Sequence, residues 1–422
     1  MRTLDSLVAR VTLPRLLRAL EGWQGSALEL TLPDGSTHSF GRGEGVVRLA
    51  LKSPAALRRL ALQGDIGLGE SYMDGEWEAS DLAAFLTAAA RNEEQLGVTS
   101  GITRALNLGN DLVHRLRRNT RRGSRRNIAA HYDLSNAFFR LFLDEETMTY
   151  SSALFASADQ PLALAQRNKY RAIAEKAQLS GADHVLEIGC GWGGFAVFAA
   201  REYGCRVTGI TLSREQYRFA RERVSSAGLS GRVEIRLQDY RDLGPGFDKV
   251  VSIEMFEALG REHWPTFFRK LDEVLAPRGI VAIQTISIPD HRFLAYERHC
   301  DWIQKHIFPG GVLASVHHAT GAMIAASRLN LHHLEDVGVH YALTLARWRE
   351  AFLANRARVR ALGFDERFVR MWDFYLASCQ ALFAARRVGN LQLVLTRPGN
   401  EALRGIPATP AAADATRRER VA

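Results

Sequence analysis

Gly189, Gly191, Gly193 and Gly194 follow directly on the apolar run Val185-Leu186-Glu187-Ile188, and an apolar helical segment starts at Phe195. A short buried strand, a glycine turn and a helix in that order let a ligand approach the backbone at a helix N-terminus. The spacing also fits G-x-G-x-x-G, so a dinucleotide site has to be weighed first. A nicotinamide site wants an acid about 20 residues on, at the end of the second strand, to hold the ribose. Here the second strand, Cys205 to Ile210, ends in Thr211-Leu212-Ser213. Glu187, two residues before the first glycine, makes the motif E-x-G-x-G-x-G.

That is the form S-adenosylmethionine-dependent methyltransferases use. The elements that must position it run in register. Ser213-Arg-Glu-Gln216 reads as a capping box opening a helix that stops at Gly228. Strands follow at 233–237, 247–253 and 279–286, and Leu391 to Thr396 looks like a last one. Alternating strands and helices predict a doubly wound, mostly parallel sheet with ligands at the carboxyl ends of its strands. Ahead of it, residues 1–114 read as a small N-terminal α+β domain. It has a hairpin around Pro33-Asp34-Gly35, a strand at 46–51, and a helix capped by Ser53-Pro54. The glycine-dense stretch 64–75 follows and ends in a polar turn. Residues 115–127 form a basic linker, 128–397 the catalytic domain, and 398–422 a tail whose composition predicts disorder.

The 422 residues carry a net charge of +9 and 46% hydrophobic residues, and no apolar run is long enough to span a membrane. The start, Met1-Arg-Thr-Leu-Asp-Ser-Leu7, lacks a signal core, and four scattered cysteines favour a reduced, cytoplasmic protein. A basic surface seeks nucleic acid or an anionic lipid face; no nucleic-acid signature accompanies it. The seven arginines between Arg115 and Arg126 read either as a solvated linker or as a contact with anionic headgroups. His317-His318 and His332-His333 tempt a metal reading, but adjacent histidines point apart on a helix or strand, so no metal is expected.

The chain resembles the cyclopropane-fatty-acyl-phospholipid synthases and the mycolic acid cyclopropane synthases. The strings that carry the likeness are Gly67-Leu-Gly-Glu-Ser-Tyr-Met-Asp-Gly75, His131-Tyr-Asp133, Met148-Thr-Tyr-Ser151 and Leu186-Glu-Ile-Gly-Cys-Gly-Trp-Gly-Gly194. Gly209-Ile-Thr-Leu-Ser213, Leu237-Gln-Asp-Tyr-Arg-Asp-Leu243, Met255-Phe-Glu257, Ile307-Phe-Pro-Gly310 and Tyr375 to Phe383 complete it. The resemblance implies a class I S-adenosylmethionine methyltransferase fold, a Rossmann-like α/β sheet of seven strands with the last one antiparallel. It implies cofactor contacts at Tyr150, Ser151, Glu187, Gly189, Gly191, Gly193, Thr211, Leu212 and Gln216, with Gln238, Asp239 and Tyr240 near the adenine.

It also implies a reaction: methyl transfer from the sulfonium to a cis double bond of a phospholipid acyl chain, then loss of a proton and closure to a cyclopropane. An alkene is a feeble nucleophile and must be held about 3 to 3.5 Å from the methyl in an apolar, water-free slot. In the family a bicarbonate ion takes the proton. Carried over, its pocket is Ser152, Glu257, Gln284, Ile286 and Tyr341. Ser152 stands where the family has cysteine and Gln284 where it has histidine; glutamine cannot titrate, so ring closure is more in doubt than methyl transfer. Cys379 falls on a family cysteine, but it also lies on an apolar helix face where a packed thiol is expected. The alternative is a C-methyltransferase on the same double bond giving a methylene, methyl-branched or diene product. The expected setting is the inner face of an anionic membrane, bound peripherally, with the first domain serving lipid binding or homodimer formation.

Overall fold

The computed structural model describes residues 2–43, 45–96, 123, 135–403 and 405. The arginine-rich linker, apart from Gly123, the His131-Tyr-Asp133 string and the tail beyond 405 lie outside the described residues. The chain divides into two compact units: Met1–Leu116 with Arg298–Pro309 and Trp348–Arg387, and Arg117–Glu297 with Gly310–Arg347 and Val388–Ala422. The segment 128–397, expected as one domain, gives two excursions to the first unit, because apolar helix faces in them pack there.

In the first unit a small sheet comprises β1 (Ala27–Thr31), β2 (Thr37–Phe40), β3 (Val46–Leu51) and β4 (Trp77–Ala79), ordered β2-β1-β3-β4. The hairpin joins β1 to β2 antiparallel. Ser53 caps the helix Pro54–Gln63 by accepting from the Ala55 amide. The glycine-dense stretch is helical, Asp65–Met73. Its glycines serve close approach: a Cβ on Gly67 would lie 2.1 Å from the Arg59 carbonyl oxygen, and one on Gly69 2.4 Å from the Trp302 indole. A helix missing those side chains packs backbone against neighbour, which periodicity does not reveal. The helix Glu366–Ala384 buries Trp372, Phe374 and Tyr375 in the same unit.

The second unit holds the seven-stranded sheet. Its strands are β5 (His184–Ile188), β6 (Arg206–Thr211), β7 (Val233–Leu237), β8 (Phe247–Ile253), β9 (Leu275–Ser287), β10 (Asn330–Asp336) and β11 (Gly389–Thr396), ordered β10-β11-β9-β8-β5-β6-β7. β5 pairs parallel with both β6 and β8, and β11 runs antiparallel to β9 and β10. The strand order turns at β5, so the loops after it open a crevice at the carboxyl edge. Val185, Leu186 and Val250 are fully buried, which fits strands covered on both faces. No helix among the described residues is long and apolar enough to cross a membrane.

Candidate active site

Beyond Ile188 the chain turns through Gly189 at φ 84°, Gly191 at 52° and Gly193 at 81°, then enters the helix Gly194–Tyr203. These backbone angles suit glycine. The amides of Gly189 and Cys190 both donate to the Ile210 carbonyl, at 3.0 and 2.9 Å, which ties the turn to the end of β6. A Cβ on Gly191 would point into space that no described residue fills within 4 Å.

That space is a cavity of about 150 Å³. Tyr150, Ser151, Glu187, Gly189, Gly191, Thr211, Leu212, Gln216, Gln238 and Tyr240, all expected cofactor contacts, line it. Gly193 and Asp239 do not. Gly193 faces Ala220, and the Asp239 carboxylate is spent on Arg241, accepting at 2.8 and 2.7 Å. The expected capping box is half made. Ser213 Oγ accepts from the Gln216 amide at 3.2 Å, but the Gln216 side chain accepts from Thr211 Oγ1 at 3.0 Å instead of reaching back. Thr211 thereby holds Gln216 at the cavity wall.

A cover loop closes one side. Asp144 accepts from the Thr147 amide and hydroxyl, each at 2.6 Å, and Thr149 bonds to Thr147 at 2.6 Å and to the Tyr170 hydroxyl. Lys169, fully buried, donates to Ser151 Oγ at 2.6 Å, and Gln166 donates to the Ser151 carbonyl at 2.9 Å. The aromatic segment backs the loop, with Phe139 5.4 Å from Tyr150 and 5.1 Å from Trp192, centroid to centroid. Met148, Ile253, Met255 and Ala258 give the cavity an apolar wall.

Burial pushes Glu187 up to about 8, against the pull of Lys169, and pushes Lys169 down to about 8. Among the described residues, Glu187 Oε2 and the Tyr240 hydroxyl are buried and meet no hydrogen-bond partner. A buried polar atom without a partner is costly and points to a ligand group. A cationic donor fits here: glycine backbone at the turn, carboxyl groups on the wall, and free hydrogen-bonding atoms where polar edges would lie.

The residues expected to form the bicarbonate pocket gather beside this cavity, around a carboxylate the motif matching passed over. Glu254, at the end of β8, lines the cavity. Its Oε1 accepts from the Ser152 amide at 3.0 Å and from Gln284 Nε2 and Asn390 Nδ2 at 2.8 Å each; its Oε2 accepts from the Tyr341 hydroxyl at 2.6 Å. Ser152, Gln284 and Tyr341 are thus brought together. Glu257 and Ile286 sit next to them but bond to each other. The Ile286 amide donates to Glu257 Oε1 at 2.5 Å and Thr285 Oγ1 donates at 3.0 Å, so that main chain is not free to hold an ion. Cys379 lies on the helix Glu366–Ala384, in the first unit. Burial, with Asp301, drives its thiol far above the ordinary range, and a thiol that stays protonated is no nucleophile.

Burial, then the neighbouring Glu254 charge, pushes Glu257 up to about 8, against the Ile286 amide. A carboxyl ordinarily releases its proton near 4.3. Between those values the folded state binds more protons than the unfolded one, so stability is full below about pH 4.5 and falls as pH rises through about 8. Glu187 adds the same slope. The melting temperature is therefore expected to drop between pH 5.5 and 8. Glu257→Gln should flatten that drop; an unchanged profile in the variant shows that Glu257 is ionised throughout.

The fold and cavity define a class I S-adenosylmethionine-dependent methyltransferase. The family described as Mycolic acid cyclopropane synthetase matches residues 119–393, and the chain belongs to it. Over 363 residues it is 43% identical to a tuberculostearic acid methyltransferase of Mycobacterium tuberculosis, covering 83% of each chain. Over 375 residues it is 36% identical to the cyclopropane-fatty-acyl-phospholipid synthase of Escherichia coli strain K12, covering 86% of this chain and 91% of that one. Among solved structures, mycolic acid cyclopropane synthase CmaA1 complexed with SAH and CTAB superposes with a TM-score of 0.60 at 30% identity, over 65% of this chain and 98% of that one. The protein is an S-adenosylmethionine-dependent enzyme that transfers a methyl or methylene group to lipid acyl chains.

Proposed function

We propose that the protein builds cyclopropane rings on unsaturated phospholipids, transferring a methylene across the cis double bond of an acyl chain. The observation that carries this is the convergence of Ser152, Gln284 and Tyr341 on one point of the donor cavity. Methyl transfer to an alkene leaves a carbocation, and a ring closes only if a base stands where the methyl's proton departs. A hydrogen-bonded oxyanion site on the apolar wall near Met255 meets that need. The name of the Escherichia coli relative supports a phospholipid substrate, and the net charge of +9 suits docking to the anionic inner face of a membrane.

Expression in a bacterial host lacking cyclopropane lipids, followed by mass spectrometry of its fatty acids, tests this. The expected product is an acyl chain heavier by one CH₂, with the ring's chemical signature. The same mass gain as a methylene branch, or as a methyl branch that keeps a double bond, rejects ring closure. Methylation of a soluble acceptor, indifferent to lipid vesicles, rejects the lipid substrate altogether.

A further inference from the structure

We infer that the side chain of Glu254 is the built-in proton acceptor of the reaction, occupying the place that an exogenous bicarbonate takes in the family. The inference rests on the reading above, in which a carbocation on the acyl chain must lose a proton.

The first support is occupancy. A bicarbonate held by the Ser152 amide, Gln284 and Tyr341 needs three donors that already point at Glu254, and Asn390 adds a fourth. A second anion there would sit against a carboxylate in a partly desolvated pocket, where like charges repel strongly. The residues present do not fit the ion. Gln284 in place of histidine agrees with this, because an amide donor suits a fixed carboxylate and needs no proton of its own to exchange.

The second support is backbone strain. Glu254 has φ 50°, a left-handed conformation that a non-glycine residue adopts at a cost of about 1 to 2 kcal/mol. Its amide bonds to the Gln284 carbonyl at 2.7 Å, so the turn at the end of β8 is pinned. This conformation delivers the carboxylate to the four donors.

The third support is alignment by a relay. Lys176, 1% exposed, donates to Glu335 at 2.5 Å and to Gln392 Oε1. An ammonium has no acceptor, so it fixes the Gln392 amide with its nitrogen outward. Gln392 Nε2 then donates to Gln284 Oε1 at 2.8 Å, which leaves Gln284 Nε2 aimed at Glu254.

The step balances. The carbon–sulfur bond of the donor breaks as the alkene π pair forms a bond to the methyl carbon. A C–H bond of that methyl then gives its electron pair to the second ring bond, and the proton goes to a Glu254 oxygen and later to water. A carbocation yields a proton to almost any oxygen base, so placement matters more than basicity.

The test uses the full chain with unsaturated phospholipid vesicles and labelled S-adenosylmethionine, with and without bicarbonate, alongside ¹³C-NMR of added [¹³C]bicarbonate. The wild type should turn over equally in carbon-dioxide-free buffer and bind no bicarbonate. Glu254→Gln should lose about 100-fold or more in turnover, the lower end for a general base, a loss much larger than any it causes in S-adenosylhomocysteine affinity. Glu254→Gly suits the positive φ and vacates the site; it should lose turnover, bind bicarbonate, and recover at least about tenfold of its rate when the ion is added. Bicarbonate-dependent turnover in the wild type, or an active Glu254→Gln, overturns the inference. Lipid carrying a methylene branch or a methylated double bond in place of a ring defeats the ring-closing reading alone, because these products and the ring all shed one proton. If no lipid is methylated, the binding measurement decides: bicarbonate bound by the wild type overturns the inference, and bicarbonate bound only by Glu254→Gly supports it.

Discussion

Gly194→Ala should cost roughly 3 kcal/mol of stability, lower the melting temperature by about 6 to 12 °C, and weaken donor binding about 100-fold. A Cβ there would lie 2.4 Å from the Tyr170 hydroxyl and 2.7 Å from the Thr147 carbonyl oxygen. Neither obstacle gives way easily. The Tyr170 hydroxyl is bonded to Thr149, and the Thr147 carbonyl accepts from Arg223 at 2.5 Å. The added methyl must therefore push the cover loop, and Tyr150 and Ser151 with it, off the cavity. Gly191→Ala separates the two effects. It has φ 52° but no described residue within 4 Å of the added Cβ, so it should cost only about 1 to 2 kcal/mol in strain while its methyl intrudes on the ligand. Thermal melts and calorimetric titration with S-adenosylhomocysteine measure both. Equal donor affinity in wild type and Gly194→Ala shows that the cover loop does not shape the site.

What the sequence disclosed follows from how local each signal is. The glycine turn and strands β5 to β8 were legible because a buried parallel strand is an apolar run and a glycine turn is an uninterrupted string. β10 was not. Asn330-Leu-His-His-Leu-Glu-Asp336 has only two apolar residues, a register shift between Leu331 and His333, and no fully buried position, as an edge strand allows. His332 and His333 lie on that strand, where successive side chains alternate between faces. The helix at 65–73 was hidden because its glycines contribute absence of a side chain, which matters only against Arg59 and Trp302.

The site divides the same way. Glu187 and the glycines could be read from the turn itself, whereas the other cavity-lining residues, and Ser152, Gln284 and Tyr341, came from the resemblance. Glu254 escaped because a motif match transfers only what the family already has, and this carboxylate replaces something that is not a residue. The one available signal was Ile253-Glu254-Met255: an acid directly after a buried strand, on the edge where ligands bind, should have been weighed beside Glu257. Lys169 and Lys176 escaped for a different reason. They lie on the helix Leu162–Lys176, no motif marks them, and only the packing shows both buried. Asp239 shows the reverse case, a plausible ligand by position that Arg241 has claimed.

Lys176→Met is the second large effect expected, and it separates alignment of the base from simple stability. Removing one partner of a buried ion pair costs about 3 to 5 kcal/mol; here Glu335 keeps 23% of its side chain exposed, so the lower figure applies. The melting temperature should fall by roughly 6 to 12 °C. Loss of the ammonium also loosens the Gln392 amide, whose orientation is then set only from the Gln284 end, through its bond to Glu254. Gln284 can follow and present its oxygen to Glu254, turning a donor into a repulsion. Turnover at 15 °C, where the variant stays folded, should therefore drop about tenfold, as one carboxylate hydrogen bond of about 1.5 kcal/mol is lost. Donor affinity should hold within about twofold, because neither glutamine lines the donor cavity. Loss of alignment should also shift products, with more methylated lipid lacking the ring as the proton leaves from the wrong carbon. A variant that melts early yet keeps full turnover and an unchanged product ratio would show that the relay holds the fold together and leaves Glu254 to align itself.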